Sequence, residues 1–251
     1  MDHTGGPIRF KVRRQDAPGS NPYWIEFEVP YQPRMNVLAC FMEFAKNPVA
    51  ADGRATSPIV YDVACLEEVC GSCAMVINGV SRQGCTALVD SLEKPVVVEP
   101  LSKFSVVRDL AVDRSRMFEA LKRVKAWIAI DGTHDLGPGP RMPEAEREWA
   151  YELSRCITCG NCLEVCPQVN DRSDFIGAAA ISQVRLFNTH PTGKMNASER
   201  LEALMGPGGI NDCGNAQNCV EACPKSIPLT TSIAAMYRAT TIQGLKNLFG
   251  K

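Results

Sequence analysis

The sequence predicts an α+β protein in two parts, a small sheet-and-helix domain over residues 1–116 and an all-helical domain over 117–251. Three observations predict it. Short runs in the first part alternate apolar and charged residues, the period of a half-buried strand. From Met117 onward apolar residues recur at helical spacing instead. Eleven of the twelve cysteines gather in runs, one in the first part and two in the second, so each part is organised around its own thiols.

The elements follow in order. Ile8, Phe10 and Val12 alternate with basic residues over 8–14, and residues 24–29 alternate likewise, which predicts a hairpin pair. Residues 15–22 between them are rich in Pro, Gly, Ser and Asn and make the connection. Asn36 caps a predicted helix through Val37, Leu38, Phe41, Met42 and Ala45, with Pro48 just beyond its end. Residues 75–80 read as a short strand interrupted by Asn78-Gly79, a hairpin-turn dipeptide, and 96–98 as another strand. In the second part Met117, Phe118, Leu121, Val124 and Ile128 predict a helix, and 131–143 a Gly/Pro-rich connector. Further helices are predicted over 144–154, 176–187, 197–205 and 230–248.

At 251 residues the chain can bury two cores. A net charge of −1 offers no basic excess for nucleic acid. Residues 1–10 lack an apolar signal core. Arg13-Arg14 is followed by Gln15, Asp16 and Pro18 rather than an apolar run, and no stretch approaches the ~18 apolar residues of a membrane span. The chain is expected to be soluble and cytosolic. Disulfide scaffolds are short secreted chains, so these cysteines read as ligands rather than bridges.

Cys156-x2-Cys159-x2-Cys162-x3-Cys166-Pro167 is the bacterial ferredoxin run for cubane clusters, whose fourth cysteine leaves to ligate the other cluster. Cys213-x5-Cys219-x3-Cys223-Pro224 repeats it with Ala216 in place of the second cysteine. By that crossing, a [4Fe–4S] cluster takes Cys156, Cys159, Cys162 and Cys223. The other site has Cys166, Cys213 and Cys219 and no fourth thiolate, so it reads as [3Fe–4S]. In the first part Cys65-x4-Cys70-x2-Cys73 matches the plant-type [2Fe–2S] loop, with Cys85 as fourth ligand. Gly71 and Ser72 let backbone amides approach the sulfides and stabilise the reduced form. A structural zinc site is the alternative for each cysteine set. Cys40, on the apolar face of the first helix, reads as a buried inert thiol. His3, His134 and His190 share no ligand spacing and read as surface or structural residues. The sequence carries neither a dinucleotide-binding glycine motif nor a Walker loop, and no nucleophile–base pair stands out. The chain is read as wiring, with flavin or another two-electron centre on a partner.

These motifs, across essentially the whole chain, resemble the iron–sulfur subunits of respiratory complex II, the succinate dehydrogenases and fumarate reductases. Val106-Val107-Arg108-Asp109-Leu110 and Asn218-Cys219-Val220-Glu221-Ala222-Cys223-Pro224-Lys225 carry the likeness. Lys125-Ala126-Trp127, Gly137-Pro138-Gly139-Pro140-Arg141-Met142-Pro143 and Ser182-Gln183-Val184-Arg185-Leu186-Phe187-Asn188 are similar to the Gram-positive type. The resemblance implies a β-grasp [2Fe–2S] domain and a helical double-cluster domain in a tricarboxylic acid cycle oxidoreductase. It further implies electrons from FAD on a flavoprotein partner passing through [2Fe–2S], [4Fe–4S] and [3Fe–4S] to menaquinone or haem at a membrane anchor. The chain would lie peripherally on the cytoplasmic face of the bacterial plasma membrane. Where ubiquinone-reactive members carry tryptophan and histidine, this chain has Asn170, Asp171 and Gly214, and Leu66-Glu67-Glu68 replaces the usual Arg-Glu-Gly. Fumarate reduction is the reverse-direction rival. A heterodisulfide-reductase or glycolate-oxidase type adaptor would keep two full four-cysteine runs, which Ala216 interrupts.

Overall fold

The computed structural model describes residues 6–128 and 141–250. His3, His134 and most of the predicted connector, including 137–140, lie outside the described residues. Contacts divide the chain into two compact units. One comprises Met1–Arg114 with Cys159–Glu164, the other Ser115–Thr158 with Val165–Lys251.

In the first unit β1 (Ile8–Arg14) and β2 (Tyr23–Val29) pair antiparallel from Ile8↔Val29 to Arg14↔Tyr23. Helix α1 (Val37–Lys46) follows, then β3 (Ala74–Ile77), β4 (Val80–Gln83) and β5 (Val96–Glu99). The sheet order is β2-β1-β5-β3-β4, with β5 parallel to β1 and the other pairs antiparallel. The predicted single strand over 75–80 is thus two strands. Asn78 (φ 49°) and Gly79 (φ 76°) supply the two left-handed residues of a tight hairpin turn between them. Alternation buries Phe10 of β1 against Phe27 of β2, rings stacked at 5.2 Å, and Phe41 and Phe44 of α1 close over them. Each such side chain contributes roughly 1.5–3 kcal/mol by burial. A helix held across a mixed sheet is the β-grasp arrangement.

Asn36 caps α1, its Oδ1 accepting the Ala39 N–H at 2.8 Å. Met42, predicted on the apolar face, is 43% exposed, because Val37, Cys40, Phe41 and Phe44 complete the helical stripe without it. Cys40 is fully buried, and burial pushes its thiol up to about 12, as an inert core thiol should be.

Two short strands, β6 (Ser105–Arg108) and β7 (Ala111–Asp113), were not expected; β6 is largely solvent-facing and has no alternating pattern. Their turn holds Asp109, fully buried and ion-paired with Arg14 at 2.8 Å. Arg14 also donates to Thr56 Oγ1, Ser57 O, Ser57 Oγ and Pro58 O, and Asp109 Oδ2 accepts the Val60 N–H. The end of β1 is thereby fastened to the segment that leads into Cys65.

The second unit contains α2 (Ser115–Arg123), α3 (Glu144–Ser154), α5 (Gly177–Thr189), α6 (Ala197–Met205) and α8 (Leu229–Phe249), with α4 (Asn161–Glu164) a single turn of the first unit and α7 (Asn218–Glu221) one of the second. Helix α2 ends at Arg123, short of the predicted Ile128, because Lys125 turns left-handed at φ 50°. Small residues Gly177 to Ala180 bury one end of α5, the helix on which α2, α3, α6 and α8 pack. His190 Nδ1 accepts the N–H groups of Thr192 and Gly193, a structural role. Among the described residues no helix is long and apolar enough to cross a membrane.

Candidate iron–sulfur centres

All twelve cysteines are free thiols. Between α1 and β3 the chain forms a loop in which Leu66 (φ 62°), Glu68 (φ 56°) and Gly71 (φ 74°) take left-handed backbone. This turns successive N–H groups inward, an anion-binding nest. Cys65 Sγ accepts from Glu67 N at 3.3 Å, Val69 N at 3.2 Å and Cys70 N at 3.3 Å, and Cys70 Sγ from Ser72 N at 3.4 Å. Ser72, through its side chain and then its N–H, lowers the Cys70 thiol to about 6 despite burial. Cys85 behaves oppositely: burial, then its bond with Cys73 and the nearness of Cys73 and Cys65, push it up to about 12. Such a buried thiol becomes a thiolate only when it ligates a cation, which couples site assembly to proton release. The loop therefore brings Cys65, Cys70, Cys73 and Cys85 together.

Neighbouring elements fix this loop. Asn36 Nδ2, on the α1 cap, donates to Cys85 O at 2.8 Å, and Arg114 donates to Gly71 O and Ser72 O. Cys73 Sγ donates to Gln83 Oε1 at 3.4 Å. The two loop glutamates differ. Glu67 is exposed, whereas Glu68 is half-buried, accepts the Thr86 hydroxyl at 2.8 Å and turns its N–H to Cys85. Glu68→Gln is therefore expected to raise the [2Fe–2S] potential and Glu67→Gln to do so less. One charge about 8 Å away contributes on the order of 0.5–2 kcal/mol at effective dielectrics of roughly 20–80. That is roughly 20–90 mV for one electron. Redox titration of both single variants decides; an unchanged or lowered potential in Glu68→Gln would sink the idea.

The ferredoxin-type cysteines are distributed between the units. Cys156 and Cys223 interact in the second unit, where burial raises Cys156 against the opposing bonds of Thr158 and Gln183. Cys223 Sγ accepts the Ile227 N–H at 3.4 Å. Cys159 and Cys162 sit on the Cys159–Glu164 segment of the first unit. There Ser81 Oγ donates to Asn161 Oδ1 at 3.1 Å, Ser102 Oγ to Glu164 Oε1 at 2.7 Å, and Phe104 covers Gly160.

Cys166, Cys213 and Cys219 line one cavity of the second unit, with empty space of about 400 Å³, part of it open to solvent. Burial first, then the proximity of Cys166 and Cys213, raises the Cys219 thiol. Ala216 lines the same cavity, flanked by left-handed Asn215 (φ 51°) and Gln217 (φ 65°). Asn218 Nδ2 donates to Val165 O at 3.1 Å and so ties the two cysteine segments together. A side chain at Gly214 would meet Gln168 Nε2 at 2.5 Å.

Among the described residues no three His, Cys, Asp or Glu side chains converge as they would on one metal ion. A polynuclear cluster instead takes thiolates spread around several irons, and both an all-sulfur donor set and inward N–H groups suit it. These residues fit such clusters.

Family comparison agrees with that chemistry. A 2Fe-2S iron-sulfur cluster binding domain family matches residues 9–119, and a 4Fe-4S dicluster domain family matches 152–227. The succinate dehydrogenase iron-sulfur subunit of Bacillus subtilis is 64% identical, spanning 97% of this chain and 96% of that protein. The fumarate reductase iron-sulfur subunit of Wolinella succinogenes is 30% identical over 91% of this chain and 94% of its own length. A chain of the Mycobacterium smegmatis Sdh1 complex in the apo form has the same fold, with a TM-score of 0.76 at 23% identity, covering 96% of this chain and 98% of that one. The chain belongs to the family of iron–sulfur subunits of succinate dehydrogenases and fumarate reductases.

Proposed function

We propose that this chain is the electron-transfer subunit of a succinate:quinone oxidoreductase, divided functionally at residues 1–116 and 117–251. The observation that carries the reading is the gathering of Cys166, Cys213 and Cys219 around one cavity beside Ala216, in a chain with two further cysteine sets. Cys65, Cys70, Cys73 and Cys85 hold [2Fe–2S]. Cys156, Cys159, Cys162 and Cys223 hold [4Fe–4S], and Cys166, Cys213 and Cys219 hold [3Fe–4S]. When bound, the clusters carry electrons one at a time between a two-electron flavin and a quinone reduced in steps. The chain's own residues hold them by thiolate, present N–H groups to the sulfurs and bury them from water.

The partners are a FAD-containing flavoprotein and a haem-bearing membrane anchor, with menaquinone near the [3Fe–4S] site, and the chain lies on the cytoplasmic face. Identity to a succinate dehydrogenase subunit supports the flavoprotein and anchor. Gly214, Asn170 and Asp171, in place of histidine and tryptophan, support a quinone other than ubiquinone. Anaerobically prepared complex is expected to contain about nine non-haem iron and about ten acid-labile sulfide per copy of this chain. A value near four iron, or stoichiometric zinc, contradicts the proposal.

A further inference from the structure

Gln83 is 1% exposed, and its Nε2 has no hydrogen-bond partner among the described residues. A buried N–H left unpaired is rare in folded proteins, rarer than an under-satisfied carbonyl. Its Oε1 meets Cys73 Sγ at 3.4 Å, and that bond exists only while Cys73 carries its proton. A ligating cysteine is a thiolate without a proton to donate, so the amide oxygen would then face a sulfur lone pair, acceptor against acceptor.

The backbone on which this buried side chain stands is fixed beside Cys73. Gln83 pairs with Ala74 across β3 and β4, Gly84 N donates to Cys73 O at 2.9 Å, and Thr86 bonds to Gln83 O. Amide oxygen and nitrogen are nearly the same size and can exchange places by a half-turn of the terminal torsion. That turn puts Nε2 where Oε1 lies, within N–H···S distance of Cys73. It gives the orphan donor a charged acceptor and leaves only a carbonyl under-satisfied. In the other half of the protein a glutamine also stands beside a cysteine, and Gln183 acts to lower the Cys156 thiol against its burial.

We infer that Gln83 is a positioning residue whose amide N–H is donated to Cys73 Sγ in the loaded protein, raising the potential of the [2Fe–2S] cluster. The inference rests on Cys73 being a ligand of that cluster. Reduction adds negative charge to the cluster and its sulfurs, so a donated N–H is stronger in the reduced state and favours it.

The test is a redox titration of the reduced [2Fe–2S] paramagnetic signal in the whole complex, comparing wild type with Gln83→Leu. The expected result is a lower midpoint, the equilibrium moving about tenfold toward the oxidised cluster, or about 59 mV. An intact signal with an unchanged or higher midpoint overturns the inference; a purely structural role would shift stability and leave the midpoint alone. Should Gln83→Leu fail to load, pulsed resonance on wild type carrying side-chain ¹⁵N glutamine gives the answer. A ¹⁵N coupling to the reduced [2Fe–2S] spin is expected, and its absence overturns the inference. Failure of the underlying assignment looks different: Cys73→Ser would then leave the [2Fe–2S] signal of the complex unaltered.

Discussion

Ala216→Cys is expected to convert the [3Fe–4S] centre to [4Fe–4S], abolishing its oxidised-state paramagnetic signal and adding about one iron per chain. Residue 216 lines the cavity that Cys166, Cys213 and Cys219 share, and its methyl is the side chain there that stands where the repeat would place a thiol. The left-handed residues on either side already hold the loop in a cysteine-run conformation, so the substitution asks for one added sulfur and no new backbone. A four-iron cluster usually has the lower potential. A drop of order 100–200 mV would disfavour electron arrival there by roughly 50- to 2,000-fold. Quinone reduction is expected to fall accordingly, while succinate oxidation with an artificial acceptor drawing from the flavin survives. A variant that keeps its three-iron signal and normal quinone activity defeats the crossed-ligand assignment.

The largest stability effect is expected at Asp109. Asp109→Ala leaves the Arg14 guanidinium buried without its counter-charge and removes the acceptor of the Val60 N–H. Removing one partner of a buried pair costs about 3–5 kcal/mol. Alanine at φ 48° adds strain that an acidic or amide side chain relieves by local hydrogen bonding. Asp109→Asn also removes the counter-charge but keeps an acceptor and tolerates the left-handed backbone, so it is expected to be destabilising yet less so than Asp109→Ala. Denaturant unfolding followed by [2Fe–2S] absorption ranks the variants, with earlier cluster loss in Asp109→Ala because the Arg14 clamp holds the approach to Cys65. A midpoint for Asp109→Ala that matches wild type would show the pair to be dispensable.

The signals that survived from sequence to fold are local ones. Ile8, Phe10 and Val12 alternate because one face of β1 is core, and Asn36 is visible as a cap because its side chain serves the third residue along. The cysteine runs were legible because a cluster fixes ligand spacing within one loop. What the sequence concealed depends on residues far apart in the chain. Strand β6 has little burial of its own, and the turn that joins it to β7 draws on Arg14, 95 residues away from Asp109. Arg114 looks like any surface arginine until its guanidinium is seen on the carbonyls of Gly71 and Ser72. Gln83 belongs to no motif, since an amide beside a thiol is set by strand register. Met42 misled for a related reason: a stripe of apolar residues one position too wide cannot all face inward.

Cys159–Glu164 belongs by its contacts with the residues that precede Ser115, although the chain on both sides of it belongs to the other unit. A cut near residue 116 would strip Asn161 from Ser81 and Glu164 from Ser102, and would uncover the ring of Phe104. Neither fragment would be a finished module, and grafting either half onto a foreign partner would carry an open wound with it. The two units are interleaved once, so that the loop bearing Cys159 and Cys162 is packed by one and encoded within the other.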